Sequence, residues 1–146
     1  MRIALIGQPN CGKSTLFNQV AGYKADTGNF PGTTVTYTES NVRVLGEKLE
    51  LVDLPGTYSL TTSNLAEQEV IKYLSSHQVD AILNLVDASH LMQGLELTLE
   101  LMELGKPLIV GMNMMDEAAR LGYTIDGPQL QQILGVPVIP LVASKG

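Results

Sequence analysis

The chain has a single cysteine, two histidines and nine lysine or arginine residues against fifteen aspartate or glutamate residues. One cysteine excludes an internal disulfide and fits a reducing compartment. A net charge of −6 leaves little for a basic face, which disfavours a nucleic-acid partner. Two histidines and one cysteine without metal-ligand spacing leave no obvious transition-metal site. Glu96, Glu100 and Glu103 share one side of a helix and read as a solvated face. No apolar run approaches the ~20 residues that span a bilayer. The opening MRIALIG carries one arginine and an apolar run too short for a signal peptide. The chain as given is therefore expected to be soluble. It shows no internal repeat, low-complexity tract or linker.

The 146 residues, 45% of them apolar, predict one domain with a substantial core. RIALIG (2–7), AILNLVDA (81–88), PLIVGMNM (107–114) and VPVIPLVA (136–143) read as buried strands. YTESNVRVL and KLELVDL flank Gly46-Glu47 and suggest an antiparallel hairpin. Helices are expected from Lys13 to Ala21, over 64–77 with an Asn64 cap, over a stretch striped by Met92, Leu95, Leu99 and Met102, and between Asp126 as cap and Gly135 as stop. Residues 24–36, rich in glycine, threonine and asparagine, read as a loop. The sum is an α/β domain: a mostly parallel six-stranded sheet with one antiparallel strand and helices on both faces. Ligands in such sheets bind beyond the carboxyl ends of the strands, where Gly7, Asp53, Asn113 and Ala143 lie.

GQPNCGKS (7–14) fits the phosphate-loop pattern and falls between a strand and a helix, the context the motif needs. Its glycines let backbone N–H groups surround phosphate oxygens at a helix N-terminus. Lys13 supplies a mobile cation and the Ser14 hydroxyl can ligate Mg²⁺. Cys11 sits at a variable position of the loop. A thiol there could have a lowered pKa, but a small tolerated side chain is the simpler reading.

Asp53 ends the strand LELVD, where a Walker-B acid would hold Mg²⁺ through water. Gly56 can offer its N–H to a γ-phosphate. In Ras-like GTPases the next residue is usually the glutamine that orients the attacking water, and here it is Thr57. Thr34 in GNFPGTTV is the candidate switch threonine that reaches Mg²⁺ when a γ-phosphate is present. Thr33 and Thr36 are close by, so this depends on the register Gly32-x-Thr34.

NMMD (113–116) resembles the guanine-reading Asn-Lys-x-Asp motif with Met114 in place of lysine. Asp116 can accept from the guanine ring N–H and amine, which adenine does not present. Asn113 can tie the base site to the phosphate loop. VASK (142–145) resembles the last guanine motif, with the Ser144 N–H at the base carbonyl and Lys145 over the ring.

Together, GQPNCGKSTLFN, GNFPGTTV, VDLPGTYSL, LNLVDASHL, ELGKPLIVGMNMMDEA and LGVPVIPLVASKG resemble the N-terminal cytoplasmic G domain of the ferrous iron transport protein B family. The resemblance covers nearly the whole chain. It departs at Phe30, Thr33 and Thr36, where the family pattern more often has Trp, Val and Glu. It implies a Ras-like GTPase fold, continuation into a helical spacer and a membrane region of the same protein, a place at the cytoplasmic face of the bacterial inner membrane, and a possible oligomer through the full-length protein. On the same resemblance the chain is expected to be a fragment of a longer protein, without the helix that follows the last strand of a Ras-like domain.

On this resemblance, GTP or GDP is held by Gly7, Gln8, Pro9, Asn10, Cys11, Gly12, Lys13, Ser14 and Thr15. Further contacts come from Gly32, Thr33, Thr34, Val35 and Thr36, and from Asp53, Leu54, Pro55 and Gly56. The base meets Asn113, Met114, Met115 and Asp116, then Val142, Ala143, Ser144 and Lys145. Mg²⁺ falls to Ser14, Thr34 and Asp53. Catalysis falls to Lys13, Thr34, Gly56 and Asn10. No arginine lies in the active loops, and the resemblance supplies a replacement: K⁺ beside the phosphates, held by Asn10 and the carbonyls of Gly28 and Phe30. The expected activity is slow, K⁺-stimulated GTP hydrolysis. Two readings stand beside it, a ribosome- or tRNA-associated GTPase and a GTP-gated interaction module with negligible hydrolysis. Asn113 and Asp116 disfavour an adenine NTPase.

Overall fold

The structure is a computed structural model that describes residues 1–21, 25–30, 32, 35–58, 60, 65–76 and 79–142, without the side chains of 44 and 66. Thr33, Thr34, Asn64, His77, Ala143, Ser144 and Lys145 lie outside the described residues.

The chain runs β1 (Arg2–Gly7), α1 (Lys13–Ala21), β2 (Asp26–Asn29), β3 (Thr36–Val44), β4 (Glu47–Asp53), α2 (Leu65–Ser75) and β5 (Ala81–Asp87). A single 3-10 turn (Ala88–His90) leads into α3 (Leu91–Met102), β6 (Leu108–Asn113), α4 (Met115–Arg120), α5 (Gly127–Leu134) and β7 (Val138–Pro140). The strands form one sheet in the order β2-β3-β4-β1-β5-β6-β7. β3 alone runs against its neighbours, pairing antiparallel with both β2 and β4, while the remaining pairs are parallel.

Alternation along the central strands sorts the core onto two faces. Ala4, Ile6, Val52 and Ile82 pack with Val70 and Leu74 of α2 and Leu97 and Leu101 of α3. Leu5, Leu51 and Leu85 pack on the opposite side with Phe17 of α1. A third cluster of Val86, Val110, Met112 and Val138 is covered by Leu130 and Leu134 of α5. Asp126 caps α5 by accepting from Gln129 N at 3.0 Å, and Gly135 ends it with φ 75°, the left-handed conformation that suits glycine.

Three expectations need correction. The sheet has seven strands, because Asp26–Asn29, expected as loop, pairs with Thr36 to Glu39 of β3. Asp26, Thr27 and Asn29 are exposed and Gly28 is half-buried, so no buried face imposes an apolar alternation on this edge strand. The hairpin turns at Leu45 and Gly46, with φ 53° and 82°, rather than at Gly46-Glu47. Two successive left-handed residues match the twist of a tight hairpin.

The third correction concerns α3. Its inward face is Gly94, Leu97, Thr98 and Leu101, not the Met92, Leu95, Leu99, Met102 stripe. Met92 is 80% exposed and Leu99 56%. Gly94 explains the rotation: a Cβ there would stand 2.4 Å from Val86 Cγ1, so the helix seats its one side-chain-free position on the sheet. The rotation also buries Thr98, whose hydroxyl donates to Asn84 Oδ1. Asn84 Nδ2 in turn donates to the Ile6 carbonyl at 3.3 Å. Both residues are fully buried, and pairing removes the cost of burying them unsatisfied.

Gly94→Ala is therefore expected to destabilise the fold. Alanine gains about 1 kcal/mol of helix propensity over glycine, but overpacking against Val86 costs about 1–3 kcal/mol. A lower urea midpoint than wild type is the expected result, and an unchanged or higher midpoint would show that α3 can lift off Val86.

Candidate functional site

The phosphate-loop residues gather where β1 ends. A buried, near-continuous apolar strand delivers Gly7, and a Cβ at Gly7 would lie 2.6 Å from both Cys11 Sγ and the Leu85 carbonyl oxygen. Only glycine fits there. Asn10 (φ 68°) and Gly12 (φ 89°) take left-handed conformations that wind the loop back on itself. Leu16 N donates to the Gly12 carbonyl at 3.0 Å. The amides at positions 12–15 have no helical carbonyl four residues behind them and form a donor-rich end. Beside them is a cavity of about 480 Å³ lined by Gln8, Pro9, Asn10, Gly12, Lys13, Ser14, Thr15 and Gly56.

The Lys13 ammonium pairs with the Asp53 carboxylate and donates to the Leu54 carbonyl at 2.7 Å. Both side chains of the pair are largely sheltered from solvent. The end of β4 is thus a place where a carboxylate and a carbonyl already hold a cation. Ser14, in the first turn of α1, is exposed. Hard oxygen donors of this kind suit Mg²⁺. Among the described residues no group of three or more His, Cys, Asp or Glu could hold a metal.

The segment after Asp53 is fastened along β1 and the loop. Leu54 N donates to the Leu5 carbonyl at 3.1 Å and Thr57 N to the Gly7 carbonyl at 3.0 Å. Gly56 lies so close to Pro9 that a Cβ would stand 3.2 Å from Pro9 Cα. Thr57 is 4% exposed.

The segment that follows β6 is joined to the loop directly. Asn113 Nδ2 donates to the Cys11 carbonyl at 3.0 Å, and the same amide abuts Gly12. Met114 adopts φ 60° and starts α4, and its Cε would lie 3.5 Å from a Gly12 Cβ. Met115 N donates to the Leu141 carbonyl at 3.3 Å, which brings the end of β7 and Val142 alongside. Asp116 is exposed, and one of its oxygens accepts from Glu117 N at 2.9 Å.

The switch segment is arranged differently from expectation. Gly28 lies in β2, opposite Tyr37. Phe30 is buried, with ring centroids 5.0 Å from Tyr37 and 5.8 Å from Tyr73, and its amide donates to the Val35 carbonyl at 3.0 Å. Gly32 (φ 73°) and Thr36 are exposed. β2 is three strands from β1 in the sheet order, about 14 Å at normal strand spacing. Main-chain pairing with β3 holds Gly28 and Asn29, and Phe30 packs into the core beside Tyr37 and Tyr73. The switch threonine Thr34 lies outside the described residues.

Two residues carry contacts that motif reading did not assign. Glu100, expected in solvent, accepts a hydrogen bond from Leu60 N. Gln8 reaches across to α3, as described below. Neither is visible in a pattern, since each contact joins segments distant in sequence.

A family profile described as ferrous iron transport protein B matches residues 1–146. The Fe(2+) transporter FeoB of Salmonella typhimurium is 47% identical over the whole chain, which spans 19% of that relative's length. The cytosolic domain of L. pneumophila FeoB superposes with a TM-score of 0.94 at 41% identity, covering 100% of this chain and 64% of that one. A GDP-bound S. thermophilus NFeoB mutant matches with a TM-score of 0.94 at 41% identity, covering 99% of this chain and 57% of that one.

Cys11 is 2% exposed, and burial pushes its thiol up to about 11, with Lys13 pulling weakly the other way. The thiolate is the reactive form, so the native thiol stays protonated through neutral pH. Disulfide reagents at pH 8 are expected to label Cys11 far more slowly in the native protein than in urea. Equal rates would mean that the loop opens freely.

Proposed function

The chain belongs to the ferrous iron transport protein B family, and on that premise we propose that it is a guanine-nucleotide domain that binds GTP and GDP and hydrolyses GTP slowly. The observation that carries this reading is the Asn113–Cys11 hydrogen bond, which sets the base-reading segment against the phosphate loop. One ligand with a base at Asp116 and phosphates at residues 12–15 would satisfy both. The related S. thermophilus protein bound to GDP supports it. Because the chain spans 19% of its curated relative, regulation of ferrous iron transport by a membrane region of a longer protein is likewise proposed, with this domain at the cytoplasmic face.

In this reading Lys13 leaves Asp53 for the phosphates, and Asp116 accepts from the guanine N–H groups. Ser14 and Asp53, with Thr34, would hold Mg²⁺, which supplies charge neutralisation at the phosphates. Asn10, with the Gly28 and Phe30 carbonyls, would hold K⁺, which supplies the charge that an arginine finger gives other GTPases. Buried Thr57 has no part in orienting water, so positioning falls to main-chain groups near Gly56 and to the loop.

Titration should show GTP and GDP binding with ATP much weaker. Asp116→Ala should lose about 1–3 kcal/mol of that preference, roughly 5- to 150-fold in affinity. Equal affinity of the wild type for ATP and GTP would refute guanine recognition.

Turnover should be faster in KCl than in NaCl at equal ionic strength, and Asn10→Ala should abolish the difference. Thr57→Ala is expected to leave kcat nearly unchanged at saturating GTP. Loss of hydrolysis in that variant, or equal rates in the two salts, would contradict this account.

A further inference from the structure

We propose that the Gln8 side chain is a positioning residue, a clamp that holds the segment after Asp53 against the phosphate loop and α3 and so favours the triphosphate over the diphosphate. This rests on the guanine-nucleotide reading above. Gln8 Nε2 donates to the Gln93 carbonyl at 2.7 Å and to the Tyr58 carbonyl at 3.2 Å. A side-chain amide has two N–H groups, and both are used here on main-chain carbonyls from two different elements. Neither acceptor belongs to the phosphate loop.

The clamp completes a series of fastenings. Leu54 N and Thr57 N are held by the Leu5 and Gly7 carbonyls, Tyr58 O by Gln8, and Leu60 N by Glu100 of α3. Gly56 lies inside this fastened stretch and lines the same cavity as Lys13 and Ser14. α3 is itself anchored to β1 through Thr98, Asn84 and the Ile6 carbonyl, so Gln93 is a fixed point rather than a drifting one. Gln8 thus ties Tyr58, two residues past Gly56, to a rigid support.

The direction of the effect follows. GTP and GDP differ at the phosphate that the Gly56 N–H would meet. A ligand shifts an equilibrium only by its differential affinity for the two states. Holding Gly56 at the cavity favours the nucleotide that contacts it and leaves the other nearly unaffected. Gln8 acts through residues 56–58 and does not itself touch the reacting atoms.

The test compares wild type with Gln8→Met, which keeps the length and packing but removes both donors, and with Gln8→Ala. Affinities for GDP and for a non-hydrolysable GTP analogue are measured, with kcat for GTP. Both variants are expected to lose about fivefold or more in analogue affinity and in kcat, and distinctly less in GDP affinity. Amide hydrogen exchange without nucleotide should quicken at Thr57 and Leu60 and stay unchanged in α1. Equal losses for GDP and the analogue, wild-type behaviour of Gln8→Met, or unchanged exchange at Thr57 and Leu60 would each overturn the proposal. If the wild type bound no guanine nucleotide, the parent reading would fall instead, and the exchange result would still decide whether the clamp exists.

Discussion

The carboxyl end of β1 is where the rest of the site is decided, and its constraint is steric. Gly7 has no room for a Cβ between Cys11 and the Leu85 carbonyl. That closeness brings the loop down onto β5 and exposes the amide-rich start of α1. Everything else attaches to this point: Thr57 through the Gly7 carbonyl, Asn113 through the Cys11 carbonyl, and Asp53 through Lys13. A bulkier residue at position 7 would displace all three attachments together, because each uses a group within six residues of it.

The attachments are mostly single hydrogen bonds, each contributing only about 0.5–1.5 kcal/mol net. They converge because the parallel block β4-β1-β5-β6 places its strand ends side by side. The sheet carries the energetic burden through Leu5, Ile6, Val52, Leu85 and Val110, and the site uses what that core positions. The segment 26–30 is different. It is held by a four-residue edge pairing and by Phe30 among Tyr37 and Tyr73.

Much of the site was legible because its chemistry is local. A phosphate loop needs its glycines, lysine and serine at fixed spacing. Asp53 and Asn113 follow apolar runs that could only be buried strands. What was not legible was non-local or lacked a periodic signal. β2 has no alternation to detect. The stripe of α3 was misplaced because a glycine and a threonine, neither counted as apolar, define its buried face. Glu100 reads as a surface acid until Leu60 is brought beside it.

The sequence by itself determined the order of the six strands other than β2 and of the four longer helices, the phosphate loop, and the acids at strand ends, since spacing and hydrophobic pattern are properties of the chain. Tertiary structure alone decided that Glu100 would accept from Leu60 N, that Thr57 would be buried, and that Gln8 would bridge Tyr58 and α3. Those outcomes depend on which surfaces meet when the sheet closes, and a side chain's partner across such a meeting has no spacing in the sequence from which it could be read.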